Sequence, residues 1–438
     1  MEQKVIRDPV HNYIAIEEPW LLRLLDTGEI QRLRHIHQLG VSSFTYPGAS
    51  HTRLSHTLGV LHLMQAAVEP LRSRNALQKD DDARALLAAA VVHDVGHGPF
   101  SHVLEPVLEK QGGCDHEEWS RHIVQDEATK VHAVLRDEGL VAPVVALLDP
   151  SDPSVPAWQR HLLSSQLDVD RMDYIQRDSY FTGAGYGDFD QYRILATMHL
   201  ESAPQRRGQQ EPDHHFAWPD KAKYALEQYI FARFYMWQAV YFHPCTRGYE
   251  KLLEALLRRA RDLARDGSPP PATGGIGALL QEEGPDLRAY LRLTEYDLLA
   301  SVHAWSESAD PVLADLSRRF LVRDGFKCIK LPRRVEGFEA YDRLEEALAY
   351  LERQREPFSI SPRSYVLQDK GSVRAYKPYR WGEAEEAAHI TLAGNREISD
   401  VLRRLRAVTA QPEEFTRYYC PREFRDRVSR ILSGPAST

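Results

Sequence analysis

Residues 91–105, "VVHDVGHGPFSHVLE", carry His93, Asp94, His97 and His102, with Glu105 at the end. Imidazoles beside carboxylates suit a borderline divalent ion such as Mn, Fe, Co or Zn. The same groups can move protons near neutral pH. "DDARALLAAAVVHDVGHG" reads as a helix opened by acidic residues and closed by glycine. On that helix His93 and His97, four apart, share a face, and Asp94 lies about a quarter-turn round. Gly96, Gly98 and Pro99 stop it. Pro99 can open the next helix, where its missing N–H matters little. His102 and Glu105, three apart, then share a face of that second helix. A lone His-Asp pair is weak evidence, because such residues commonly cap helix ends. Four titratable groups around one helix–turn–helix corner are far more specific.

Two further stripes combine charge with aromatic surface. In "DVDRMDYIQRDSYFTG", Asp170, Tyr174 and Asp178 fall at i, i+4 and i+8, with Arg171 beside them. Taken alone, this stretch is a charged solvent face with one buried tyrosine. In "DKAKYALEQYIFARFYMWQAVYFHP", Arg233, Trp237 and Tyr241 repeat the spacing on a helix that is mostly aromatic core. Arg233 stands out, because a guanidinium amid Tyr229, Phe231, Phe234 and Tyr235 wants an anion.

These stripes sit on a chain built mainly of helical patterns. Apolar spacing marks helices after residue 18 (broken near Gly28), from Leu54 through Val68, and across 116–148. "DPSDPSVP" interrupts before helical texture resumes. Residues 4–16 alternate and read as extended, and 201–215 form a polar loop capping a hairpin. "DGSPPPATGGIG", 266–277, is the most flexible-looking segment. After about 325, β-like runs ("FKCIKLP", "AAHITLA") alternate with helical ones ("YDRLEEALAYLERQ"). The expectation is a mainly α protein: a helical core over 1–325 with a smaller α+β C-terminal subdomain over 326–438.

Composition narrows the class. Of 438 residues, 43% are apolar and 27% charged, which is ordinary for a soluble globular protein. The net charge of −8 argues against nucleic acid or an acidic membrane as the main partner, while leaving room for a local basic pocket. Cys114, Cys245, Cys328 and Cys420 form no C-x-x-C pair, which points away from a disulfide framework or zinc ribbon. The N-terminal "MEQKVIRDPV" has no apolar leader and no run approaches a membrane span, so the expected location is cytoplasmic.

"QLGVSSFTYPGASHTRLSHTLGV", "HDVGHGPFSH", "HEEWS" and "DVDRMDYIQRDSYFTG" occur in that order. Together they resemble the deoxynucleoside triphosphate (dNTP) triphosphohydrolase branch of the HD-domain phosphohydrolases. That branch holds bacterial dNTPases and the vertebrate sterile-alpha-motif and HD-domain dNTPase. The resemblance runs from about residue 4 to 265 and implies an HD-domain helical bundle. It implies metal ligands at His56, His93, Asp94 and Asp170 for one divalent ion (Mn, Fe, Mg, Co or Zn), with a second Mg on the triphosphate. The implied reaction is hydrolysis at the α-phosphorus, releasing the deoxynucleoside and intact triphosphate.

By the same resemblance His102 is the general acid, oriented by Glu105, and His97 and His116 are proton-relay groups near the α-phosphate. The family has a shorter Asp where this chain has Glu105. Arg53 and Arg171 contact phosphate, Tyr174 packs under the sugar against any 2′-OH, and Asp178 accepts from the 3′-OH. Gln38 and Leu39 touch base and sugar, and Arg233 and Tyr241 line the pocket wall. Trp237 and Phe242 replace a histidine and a glutamine of the vertebrate pattern. A guanine-nucleotide or dNTP activator is implied at Lys4, Val5, Asp26, Gln31 and Arg34, with Arg7 departing from the family's Asn, as is a homo-oligomer (dimer or tetramer). Two other readings stay open. Another HD phosphohydrolase (a nucleoside 5′-monophosphatase or phosphodiesterase) needs only the metal set, yet Arg53, Arg171 and Arg233 exceed what one phosphate requires. A nucleotide-sensing or nucleic-acid-binding assembly is opposed by the complete ligand set and the negative charge.

Overall fold

The computed structural model describes residues 4–74, 76–77, 79–109, 114–202, 213–331, 337–378, 390–409 and 412–434. Asn12 adopts a left-handed backbone (φ 62°), a conformation asparagine tolerates better than most residues. The chain therefore folds back there. Lys4–Asp8 (β1) pairs antiparallel with Asn12–Ile16 (β2). Alternation puts Ile14 and Ile16 in the core and Val5 and Tyr13 in solvent.

The centre is helical. Arg53–Ser73 (α1) and Asp80–Val92 (α2) bury most of their length. The alanines of α2 let neighbouring elements approach closely. Ser101–Glu109 (α3) and His116–Gln125 (α4) follow, the latter opened by a reciprocal Asp115/Glu118 capping box. Val169–Thr182 (α5) starts where the Asp168 carboxylate accepts from the Arg171 N–H (2.7 Å) and stops at left-handed Gly183. It packs on α1. Lys223–Met236 (α6) runs on into a π-helical turn, Trp237–Tyr241, before Pro244–Arg265 (α7).

Two local expectations change. The helix bearing the His-Asp pair ends at Val92, not near Gly98. The Gly96 N–H donates to Ser120 Oγ (2.9 Å), and the Gly96 carbonyl accepts from the Tyr290 hydroxyl (2.7 Å). These tertiary bonds draw the backbone off the helical path, so His93 and His97 do not share a helix face. The π-helical turn likewise alters the register between Arg233 and Tyr241.

Among the described residues, nine strands make three small sheets around this helical mass. His199–Ser202 (β3) and His214–Trp218 (β4) form the expected hairpin; most of its polar loop, 203–212, lies outside the described residues. Lys327–Lys330 (β5) and Leu367–Val373 (β6) flank Glu413–Cys420 (β9). Thr391–Leu392 (β7) pairs parallel with β4 and carries Arg396–Glu397 (β8) at its other edge. Residues beyond 325 thus complete a sheet begun before 220. Ile329, Tyr419 and Val428 share one buried cluster with Leu252, Val302 and Leu316. The 266–277 segment is pinned: the Trp305 indole donates to the Pro271 carbonyl (2.5 Å), and Ile276 is buried. Among the described residues no helix is long and apolar enough to cross a membrane.

One tie between the segment before α1 and the Glu295–Trp305 helix is pH-sensitive. Buried Glu295 accepts the His37 N–H (3.0 Å) and meets its imidazole with the other oxygen. That hydrogen bond, together with the Glu295 charge, outweighs burial and raises the His37 pKa. A raised histidine pKa adds stability that is complete below its unfolded value of about 6.5 and fades as pH climbs through the folded value. The melting-temperature gap between wild type and His37→Gln is therefore expected to be larger at pH 6 than at pH 9. An equal gap would mean the pairing carries no charge.

Candidate active site

Three elements converge at the end of α2. His56 comes from α1, His93 and Asp94 from the turn after α2, and Asp170 from the first turn of α5. His56 Nε2 lies 2.9 Å from Asp170 Oδ1 and 3.7 Å from Asp94 Oδ2. His93 Nε2 lies 3.4 Å from Asp94 Oδ1 and 3.7 Å from Asp170 Oδ1. One ligand atom each from His56, His93 and Asp170 falls within 4.8 Å of the others. The His93 Nδ1 side faces the Ala90 carbonyl (2.9 Å), while its Nε2 is buried with no hydrogen-bond partner. An orphaned imidazole nitrogen facing two carboxylates fits a divalent cation of the borderline class. His56, His93 and Asp170 form a group that could hold such an ion.

The site also contains a group that the sequence reading passed over. His56 Nδ1 is 2.8 Å from Asp173 Oδ2, so its rear nitrogen is anchored as in many metal-ligating histidines. Asp173 in turn meets His11 Nε2 (2.6 Å) and Arg177 Nε (2.8 Å). The available signal was the i, i+4 spacing of Asp173 and Arg177 within the quoted stretch. Burial alone would lower the His56 pKa; Asp170 and Asp173 outweigh it and hold it at about 10. Burial alone would raise the Asp170 carboxyl; His56 and His93 outweigh it and keep it well below the usual carboxylate range.

A second cluster adjoins the first. His97 Nε2 is 3.2 Å from Asp94 Oδ1, and Arg53 Nη1 is 2.7 Å from Asp94 Oδ2. The His97 and His116 rings stack at 3.9 Å. Glu105 Oε1 lies 3.0 Å from His116 Nδ1 and 3.6 Å from His97 Nδ1. The two imidazoles are pushed apart in pKa. Burial, with help from Arg53, drives His97 well down, whereas Glu105 overcomes burial and lifts His116. Helical spacing pairs Glu105 with His102; in space Glu105 faces His116. The His102 side chain lies outside the described residues.

A cavity of about 490 Å³ runs from this point. Arg53, Asp94, His97, His116 and Asp170 are in its lining, together with Gln38, Leu39, Tyr174, Asp178, Trp237, Tyr241 and Phe242 and with Ser42, Arg247 and Glu250. The Asp178 carboxylate holds His51 Nε2 (2.7 Å) and the Tyr241 hydroxyl (2.7 Å). Burial pushes the Tyr174 hydroxyl up to about 12. Arg171 and Arg233 are not in the lining: Arg171 Nε bonds Asp168 (3.1 Å) and Arg233 donates to the Ala375 carbonyl (3.2 Å). A second cavity, about 530 Å³, reaches His93, Asp94 and Asp170 beside Arg160 and His161. Lys4, Val5, Asp26 and Arg34 are exposed on the surface, where the Arg34 Nε–H donates to Gln31 Oε1 (2.6 Å).

The HD-domain model matches residues 53–178, the span from Arg53 to Asp178. YwfO, an uncharacterized protein of Bacillus subtilis, is 35% identical over 411 residues, covering 92% of this chain and 88% of that protein. Deoxynucleoside triphosphate triphosphohydrolase SAMHD1 of Mus musculus is 25% identical over 472 residues, covering 96% of this chain and 69% of that protein. Among solved structures, a phosphohydrolase of Bacteroides thetaiotaomicron superposes with a TM-score of 0.80 at 28% identity, covering 96% of this chain and 100% of that one.

Proposed function

The chain belongs to the HD-domain dNTPase-like family and is a hydrolase of phosphoester bonds; from that premise we propose that it cleaves dNTPs to the deoxynucleoside and intact inorganic triphosphate. The observation that carries the reading is the 490 Å³ cavity, which joins Asp94 and Asp170 to Tyr174, Asp178 and Tyr241. One part is suited to a metal and a phosphate, the other to a sugar and a base.

A divalent ion held by His56, His93, Asp94 and Asp170 supplies Lewis acidity for phosphate chemistry. The chain's own groups do the rest. Arg53, braced by Asp94, presents a guanidinium to phosphate oxygens. A nucleoside 5′-oxygen is a poor leaving group and needs a proton. His116, paired with Glu105, is placed to hold that proton beside the deprotonated His97; His102 is the other candidate. Tyr174 stacks where a 2′-OH would stand, which favours deoxyribose. Asp178, oriented by His51 and Tyr241, retains lone pairs for a 3′-OH. Arg171 and Arg233 need to turn from Asp168 and the Ala375 carbonyl to reach phosphate.

The same reading includes a second Mg on the triphosphate and an activator nucleotide at Lys4, Val5, Asp26, Gln31 and Arg34. It also includes a homo-oligomer acting on the dNTP pool of the cytoplasm. The test is incubation of Mn-loaded protein with each dNTP, with and without GTP or dGTP. Inorganic triphosphate plus deoxynucleoside is expected, at a higher rate with the added guanine nucleotide. Orthophosphate or a nucleotide as product would move the chain to another HD phosphohydrolase activity. An unchanged rate would remove the activator.

A further inference from the structure

A buried ionic chain links the N-terminal hairpin to His56. Asp8 closes β1 and caps its turn, accepting the Val10 and His11 N–H groups (2.9 Å each). Its other oxygen takes Arg177 Nη1 (2.8 Å). Arg177 grips Asp173 with a two-pronged fork, Nε to Oδ2 at 2.8 Å and Nη2 to Oδ1 at 3.0 Å. Asp173 then holds His56 Nδ1 at 2.8 Å and His11 Nε2 at 2.6 Å. Asp8, His11, His56, Asp173 and Arg177 are each no more than 5% exposed.

The helices are shaped around this chain. A Cβ on Gly59 of α1 would lie 1.8 Å from Asp173 Oδ1 and 2.5 Å from Arg177 Nη2. Glycine at 59 therefore lets α5 bring its carboxylate and guanidinium against α1, one turn beyond His56. A merely space-filling contact would not call for charged groups here, since burying charge is costly unless each is paired. What the arrangement accomplishes is specific to His56. A carboxylate on Nδ1 holds the proton there, so that Nε2, which faces Asp94 and Asp170, is the nitrogen that would give up its proton and meet a cation.

We propose that Asp173, Arg177 and Asp8 are positioning residues for His56, so that the N-terminal hairpin sets how tightly the metal is held. The inference rests on His56 being a metal ligand, not on any nucleotide being the substrate. It assigns the "DPVH" segment of the first strand and turn a task at a site whose ligands begin at residue 56.

The experiment is a titration of EDTA-stripped full-length protein with Mn(II) alone, by calorimetry, with the melting temperature of each metal-free variant recorded beside it. Asp173→Asn is expected to weaken Mn(II) binding by about 10- to 100-fold, the usual consequence of losing such a partner. Asp8→Asn, which keeps the side-chain volume, should weaken it several-fold. Arg7→Gln, on the exposed side of β1 against Tyr13, should leave it unchanged. Melting temperatures that fall while Mn(II) affinity stays at wild-type level in Asp173→Asn and Asp8→Asn would overturn the proposal. Equal weakening by Arg7→Gln would do so too. If Asp173→Asn does not fold, Asp8→Asn decides alone. His56→Ala separates the premises: unchanged Mn(II) binding there means the metal-site reading itself has failed.

Discussion

An Asp94→Ala protein is expected to lose its divalent ion and its phosphohydrolase turnover together, with turnover down by about 10³-fold or more. The several kcal/mol that a bound ion contributes to charge stabilisation convert to rate at about 1.4 kcal/mol per tenfold. Asp94 sits at the middle of the site. One oxygen faces His93 Nε2 (3.4 Å) and His97 Nε2 (3.2 Å); the other faces Arg53 (2.7 Å) and His56 Nε2 (3.7 Å). Removing it takes away a proposed ligand and also strands the Arg53 charge. Breaking a buried pair on one side typically costs about 3–5 kcal/mol, so the melting temperature should fall as well. Asp94→Asn separates the effects, because the amide oxygen can still accept from Arg53 while the anionic ligand is gone. Metal content by elemental analysis and turnover should drop in both variants, with the stability loss larger in Asp94→Ala. A stoichiometric metal content with wild-type turnover in either one would remove Asp94 from the site.

Much of this geometry was legible because helical periodicity is local. The i, i+4, i+8 stripe fixed Asp170, Tyr174 and Asp178 on one face of α5, and all three line the same cavity. The His93/His97 relation was not legible. It depends on Gly96 bonding Ser120 and Tyr290, 24 and 194 positions away. No window around residue 96 contains that information. Asp173 was hidden for another reason: an Asp and an Arg four apart on a helix usually form a surface pair. Only the fold shows Asp8, His11 and Gly59 closing over them. The π-helical turn at Trp237 and the parallel pairing of Ala217 with Thr391 are likewise tertiary outcomes. The mainly helical class survives such surprises, because it rests on many long periodic segments rather than on any single residue.

Glu105→Gln is expected to cut kcat by about 10²-fold while the ion stays bound, the lower end of what a positioned proton donor or acceptor contributes. Glu105 faces His116 Nδ1 (3.0 Å) from α3 and, among the described residues, has no place in the His56/His93/Asp170 group. Its charge and hydrogen bond are what raise His116 against burial. Without them burial prevails, and the His116 pKa falls. A group that must be protonated to act then loses its proton at lower pH, so the alkaline limb of the pH–rate profile should move toward acid. His97 is held down by burial and Arg53, so it keeps its neutral form through the same range and does not mask the shift. Coupling decides which histidine Glu105 serves. If it acts through His116, a Glu105→Gln/His116→Gln double variant should be little worse than His116→Gln alone, since groups working as a unit are not additive. If the two losses multiply, Glu105 serves another group, and His102, on the first turn of the same α3 helix, takes the acid role that its spacing from Glu105 first suggested.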